Sequence, residues 1–170
     1  YIEVGGGFSI LAIRDINESN YRRYNEVIFA RDEGKFISLK SGEHKVPAGT
    51  LDVLSAFYYA RRMIFDKPLS KNEIINLTSW FDDELYKIKI KFKKREKIKT
   101  KFGKIYCLKF VPVLDDKTPL KKEEDMQVWF SDDGNFIPVK IRLKVGISNV
   151  KCDLDKYDNL KNPFGIPFKR

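Results

Sequence analysis

Three observations predict a mostly β chain with one helix inside it. Tyr86, Ile88, Ile90 and Phe92 alternate with Lys87, Lys89, Lys91 and Lys93. Val139, Ile141, Leu143 and Val145 alternate in the same way with Lys140, Arg142 and Lys144. A strict period of two belongs to a strand with one face on a core and the other in water. The third observation is the stretch TLDVLSAFYYARRMIF at 50–65, whose Val53, Leu54, Ala56, Phe57, Tyr58, Ala60 and Met63 cover nearly the whole helical circumference. A helix apolar on most of its faces must be wrapped by other elements. The predicted fold is therefore a curved antiparallel sheet, or an open β-barrel or half-barrel, holding one buried helix over about 50–64.

Further apolar and β-branched runs place strands at 8–14, 21–31, 35–40, 76–81, 104–113, 126–131 and 149–156. Asp32-Glu33-Gly34-Lys35, Phe102-Gly103-Lys104 and Asp132-Asp133-Gly134-Asn135 each put a glycine where a tight reversal favours positive φ. Pro47-Ala48-Gly49 ends the segment before the helix, with Thr50 as its N-cap and Asp52 in its first turn. Ser70-Lys71-Asn72-Glu73 matches a capping box and predicts a second short helix over about 70–75. Asp115-Asp116-Lys117-Thr118-Pro119 opens a longer polar loop. Residues 1–160 read as a single β-rich domain and 161–170 as an irregular tail, docked through Phe164 and Phe168.

Thirty-three Lys and Arg against 24 Asp and Glu give a net charge of +9, which raises nucleic acid as a partner. The aromatic residues of the 86–93 strand point away from its lysines, so the lysines read as a solvated face and nucleic acid is set aside. No run approaches the ~18–20 apolar residues of a membrane-spanning helix. The chain begins at Tyr1 and reads as a mature form or a fragment. A single histidine, His44, leaves little room for metal sites or proton relays. His44 sits in a polar turn, and no nucleophile-elbow glycines surround Ser55 or any other serine. Asp82-Asp83-Glu84 and Glu123-Glu124-Asp125 read as solvated turn acids, and Gly5-Gly6-Gly7 lacks the Lys-Ser/Thr of a phosphate loop. Cys107 and Cys152 fall in strands and read as buried free thiols or as a cross-strand pair. No catalytic residue, metal ligand or cofactor is assigned. Tyr58, Tyr59 and Arg61 offer two hydroxyls and a guanidinium to a ligand with an anionic end, or else serve as core residues with bonded tips.

The segments RDINESNYRRYNEVIFARDEGKF, VPAGTLDVLSAFYYAR, WFDDELYKIKIKF, IKTKFGKIYCLKFVPVL, EEDMQVWFSDDGNFIPVKI and VGISNVKCDLDKY follow one another without large gaps. In this order they resemble a family of exported proteins from Gram-negative bacteria of the Bacteroides group, domain of unknown function 3108. DVLSAFYYAR is the most specific of the shared motifs. The resemblance implies a barrel-like β domain in the periplasm or at the outer-membrane periphery, and no activity. It also implies that this chain is the C-terminal two-thirds of such a domain, with several strands preceding Tyr1.

The expected function is that of a non-enzymatic envelope protein holding a lipid or other apolar ligand between helix and strands. Leu54, Phe57, Tyr58, Tyr59, Arg61, Ile88, Ile90 and Phe92 are the expected ligand-binding residues, with Ile141 and Leu143 in the same lining. Lys87, Lys89 and Lys91 would meet anionic headgroups at a membrane surface. The alternatives are a fully packed module that contacts envelope protein partners and, third, a glycan-acting enzyme.

Overall fold

The computed structural model describes residues 8–65, 69–113, 122–145 and 148–166. Strands predominate and there is one α-helix among the described residues, as the sequence predicts. Strands β1 (Leu11–Glu18), β2 (Tyr21–Ala30), β3 (Lys35–Ser38) and β4 (Gly42–Lys45) form an antiparallel sheet in chain order. A second sheet, curled as a half-barrel, runs β5 (Leu51–Asp52), β6 (Ile74–Phe81), β7 (Glu84–Thr100), β8 (Gly103–Pro112), β9 (Met126–Ser131), β10 (Pro138–Val145) and β11 (Ser148–Asp153). Its β5–β6 pair is parallel, and β7 through β11 pair antiparallel. Helix α1 spans Val53–Phe65. The chain divides into two compact units, residues 1–59 with 77–87 and residues 60–76 with 88–170.

In the first unit, alternation along β1–β3 sorts side chains onto two faces. Val27, Phe29 and Phe36 point inward and pack with Trp80, Ala12 and Val46. Phe36 meets Phe29 and Trp80 edge to face, with ring centroids 4.4 and 5.9 Å apart. Such edge-to-face contacts add about 0.5–1.5 kcal/mol beyond area burial. The Arg31 guanidinium lies over the Phe8, Phe29 and Phe36 rings and donates to the Thr50 carbonyl at 2.7 Å. Asp82 and Asp83 both adopt positive φ and join β6 to β7 as a two-residue turn. Neither is a bare solvated acid. Asp82 pairs with Arg14 and Arg23, and Asp83 accepts from Asn25 at 3.2 Å. Burial resists ionisation of Asp83, but hydrogen bonds from Ser38, Ser41 and Asn25, with the charge of Lys40, outweigh it and hold its pKa below the ordinary value.

The second unit turns on a buried polar knot at 131–135. Asp133 is wholly buried. Its carboxylate accepts from Ser131 Oγ at 2.9 Å, the Asn135 amide at 2.8 Å and the Gly165 amide at 2.8 Å. Asn135 and Asn162 then exchange two bonds of 2.8 and 2.9 Å, which draws the irregular C-terminal segment onto the turn. Phe164 packs on Phe102 and Tyr157 and joins the cluster of Ile105, Cys107, Trp129 and Val139. The tail is thus docked through Phe164 as expected. On the other face of this sheet Phe92, Phe110 and Phe130 stack in sequence across three strands.

Several local expectations need correction. The helix begins at Val53 because Leu51–Asp52 are taken into β5, and Asp52 rather than Thr50 caps it. Asp52 Oδ1 accepts from the amides of Leu54 and Ser55 at 2.8 and 3.3 Å. The helix is only partly buried: Ser55, Ala56 and Ala60 are inside, while Leu54 and Tyr58 are 67% and 56% exposed. No second helix forms at 70–75. Half of the capping box is made, from the Ser70 amide to Glu73 at 3.0 Å, but Asn72 takes a left-handed conformation and Ile74 starts β6. His44 lies in β4, not in a turn, with its ring on Trp80. The Asp132–Asn135 reversal joins β9 to β10 as a hairpin as expected, but its side chains are buried and Phe136, not Gly134, takes the positive φ. Gly5-Gly6-Gly7, the loop opened by Asp115 and Phe168 lie outside the described residues.

Two outcomes follow for stability. Asp133→Ala leaves three donors unpaired and should cost about 3 kcal/mol or more in urea unfolding, with Asp133→Asn losing less. Because the folded pKa of Asp83 is depressed, its contribution is present above the ordinary carboxylate value and is lost as pH falls through the lower folded value. Asp83→Asn should therefore flatten the acid limb of a stability–pH profile below about pH 4.

Candidate functional site

The eight expected ligand residues are divided between the two units. Leu54, Phe57, Tyr58 and Tyr59 belong to the first unit, and Arg61, Ile88, Ile90 and Phe92 to the second. Leu54, Tyr58 and Tyr59 are exposed, Phe57 and Ile88 half-buried, and Ile90 buried. Phe92 packs on Phe110, with centroids 5.6 Å apart. Arg61 is committed elsewhere, since its Nε donates to the Asn135 carbonyl at 2.6 Å. Register places Phe92 opposite Phe110, and Ile141 and Leu143 opposite Val128 and Met126. These residues share one face of the sheet, as their alternation predicts.

The serine and histidine make separate contacts. Ser55 Oγ lies 2.7 Å from Ser9 Oγ, whereas His44 Nε2 lies 2.8 Å from Ser41 Oγ. Among the described residues no group of three or more His, Cys, Asp or Glu could hold a metal ion. The thiols differ in kind. Cys107 is buried, and burial, reinforced by the charges of Asp133, Asp132 and Glu96, pushes its pKa up to about 12. Cys152 is exposed, which corrects its expected burial. The two lie on β8 and β11, three strands apart, a separation of roughly 14 Å at ordinary strand spacing. No disulfide joins them, since both thiols are free.

The richest arrangement of charge lies on the sheet of the second unit. The two units divide the charge very unevenly: the first has 8 Lys and Arg against 11 Asp and Glu, the second 25 against 13. A β-bulge between Phe92 and Lys94 sets how the second unit displays its cations. Before it, Ile90 and Phe92 share the face of Phe110; beyond it, Arg95 and Lys97 occupy that face while Lys94 turns to the other. Lys94 there stands opposite Lys109, and Lys109 opposite Trp129. Lys109 and Arg142 approach the Trp129 ring, at 5.1 and 5.8 Å from its centroid. Glu96 ties the group together, bonding Lys94 at 2.9 Å and Trp129 Nε1 at 2.9 Å. Burial, helped by the charges of Lys94 and Lys93 and opposed by Glu96 and Glu124, pulls the Lys109 ammonium below its ordinary pKa. Lys91 and Lys93 share Glu123, which their bonds hold below the ordinary carboxylate range.

Beside Trp129 an open groove of about 190 Å³ is lined by Glu124, Gln127, Arg142, Lys144, Asn149 and Lys151, with Leu143 and Val150. A second, of about 430 Å³, lies between Lys99–Lys101 and Val139–Lys140, bordered by Asp153–Asp155. Ion pairs of Lys101 with Asp155 and Lys140 with Asp153 largely neutralise it. Neither groove includes any of the eight expected ligand residues. This grouping of cations on one face, from Lys94 to Lys151, is not visible as spacing along the chain. One signal pointed to it: Lys109 is a lone cation within the apolar run IYCLKFVP.

A family model described as protein of unknown function (DUF3108) matches residues 1–155. The match starts at the first residue and does not carry the narrower expectation that the chain is only the C-terminal two-thirds of such a domain. Comparison with curated proteins and with solved structures gives no match.

Thiol chemistry checks this site's packing. Iodoacetamide should alkylate Cys152 in the native protein and spare Cys107 until the chain is unfolded, read as one against two adducts by intact mass. Rapid native labelling of Cys107 would contradict the docking of the tail over its cluster.

Proposed function

The chain belongs to the DUF3108 family of proteins of unknown function, and on that premise we propose that it is a non-enzymatic module of the cell envelope that attaches to an anionic surface through its second unit. The observation that carries this reading is the division of charge, with an excess of basic residues in the second unit set against a small acidic excess in the first. Each Lys or Arg near an anionic bilayer contributes about 1 kcal/mol, so even a minority of these cations gives firm attachment. Lys89 stands exposed on β7, while Lys91 is paired with Glu123, so the attachment relies on more cations than the Lys87–Lys91 run. Nucleic acid is disfavoured because the aromatic rings beside the cations are covered by them: Trp129 is 5% exposed, and Arg95 and Lys97 lie over Tyr106. Rings in that state offer no stacking platform to bases.

An apolar ligand retains support from α1, where Leu54 and Tyr58, one turn apart, stand exposed. An acyl chain laid on that stripe would co-purify with the protein, and native mass spectrometry of detergent-free material reads it directly.

Vesicle flotation tests the main reading. The protein should float with phosphatidylglycerol-containing vesicles, leave them as salt is raised, and ignore neutral phosphatidylcholine vesicles. Equal binding to both vesicle types, or to neither, would overturn it.

A further inference from the structure

Sheet register gathers the cations of the second unit more tightly than their sequence spacing suggests. Arg142 of β10 stands opposite Gln127 of β9 on one side and Lys151 of β11 on the other. Two positions along, Lys144 stands opposite Asn149. Alternate residues of a strand share a face, so Gln127, Arg142, Lys144, Asn149 and Lys151 all point the same way. These five, with Glu124, line the groove of about 190 Å³ beside Trp129.

Several of the surrounding cations are paired with a carboxylate. Lys94 has Glu96, Lys91 and Lys93 have Glu123, and Lys140 has Asp153. Among the described residues no carboxylate lies within ion-pair distance of Arg142, Lys144 or Lys151. Like charges directly opposite each other on paired strands repel, so the Arg142–Lys151 pair is a local cost to the fold. An anion seated between them removes that cost. The donor set also selects the kind of anion. A guanidinium offers two parallel N–H groups to two oxygens of one group, two ammonium groups supply point charges, and neutral donors come from the Asn149 amide and from the second N–H of the Gln127 amide, whose first donates to the Glu124 carbonyl at 2.8 Å. A tetrahedral phosphate presents several acceptor oxygens to such a surround, and the groove's volume suits a single headgroup phosphate.

We propose that this groove is a phosphate-recognition subsite, formed by Arg142, Lys144 and Lys151 with Gln127 and Asn149. The inference rests on the proposed attachment to an anionic surface and names the chemical group recognised there. The phosphate is that of a lipid headgroup or of a free phosphate or phosphomonoester, and the experiment below separates the two sources.

The double variant R142Q/K151Q removes the opposed pair. K97Q/K104Q removes the same charge from the other face of the sheet, where Lys97 and Lys104 lie by register. All four positions are exposed, and circular dichroism confirms folding before binding is measured. Affinity is measured on vesicles carrying phosphatidylglycerol and on vesicles matched in charge with oleate. R142Q/K151Q should lose roughly tenfold or more on phosphatidylglycerol, K97Q/K104Q several-fold less, and the wild type should prefer phosphatidylglycerol to oleate. Equal losses by the two variants would overturn the groove while leaving the attachment intact, and so would equal wild-type affinity for the two vesicle types. Inorganic phosphate is titrated separately and followed by NMR. Shifts at Gln127 and Asn149 that vanish in R142Q/K151Q support the groove and assign free phosphate as a source. Phosphatidylglycerol binding lost in R142Q/K151Q without such shifts supports it with the headgroup as source. A wild type that ignores both vesicles but shows the shifts keeps the groove and sinks the attachment; one that ignores all three probes sinks both.

Discussion

The buried Asp133 carboxylate is the constraint on which the second unit depends. A carboxylate out of water is tolerated only when its lone pairs are met by fixed donors, and here Ser131, Asn135 and Gly165 supply them. Each donor belongs to a different structural job. Ser131 ends β9 and also accepts from the Ile137 amide, so it sets how the chain returns into β10. Asn135 fixes the turn and receives the tail through Asn162. Gly165 brings the end of that tail back to the same anion. Gly134 completes the arrangement, because a Cβ there would stand 2.6 Å from Asn162 Cγ. Removing any one member leaves another buried group without its partner, which is why such knots behave as units.

The same knot lies behind the electrostatics of the sheet. Asp132, next to the buried anion, pairs with Arg95 on β7. Arg95 in turn lies over Tyr106, as does Lys97. On the opposite face the docked Phe164 closes the apolar cluster around Cys107 and Trp129. The cations beyond that cluster, from Lys109 to Lys151, therefore stand on a stiff, filled support. A charged surface on a rigid support suffers little ordering loss when it binds, and this favours attachment over adaptive wrapping.

Much of the fold was legible because side-chain alternation is a local property. The runs around Ile88–Phe92 and Val139–Val145 disclosed their faces, and the glycine turns at Gly34 and Gly103 disclosed the hairpins. The family was legible through the run of motifs it shares with this chain. What stayed hidden is non-local. Nothing in LSAFYYAR says that its small residues turn inward and that Leu54 and Tyr58 remain in solvent. Nothing in Ser-Asp-Asp-Gly-Asn separates a solvated reversal from a buried knot, because the deciding partner, Gly165, lies 32 residues away. The groove was hidden for the same reason: Gln127, Arg142 and Lys151 are neighbours only through register across three strands.

One extra residue in β7 changes the facing of every residue of the strand that follows it. The bulge between Phe92 and Lys94 works like a frameshift in a two-letter alphabet of inward and outward positions. Upstream of it, lysines fall on one side and aromatic or aliphatic residues on the other; downstream Arg95, Lys97 and Lys99 take the side that began as core, while Lys94, Glu96 and Ile98 take the other. The same alternating run thus encodes two different surfaces. An evolving chain could reassign the charge on both faces of its sheet by gaining or losing a single codon at this point, without altering any other residue of the strand.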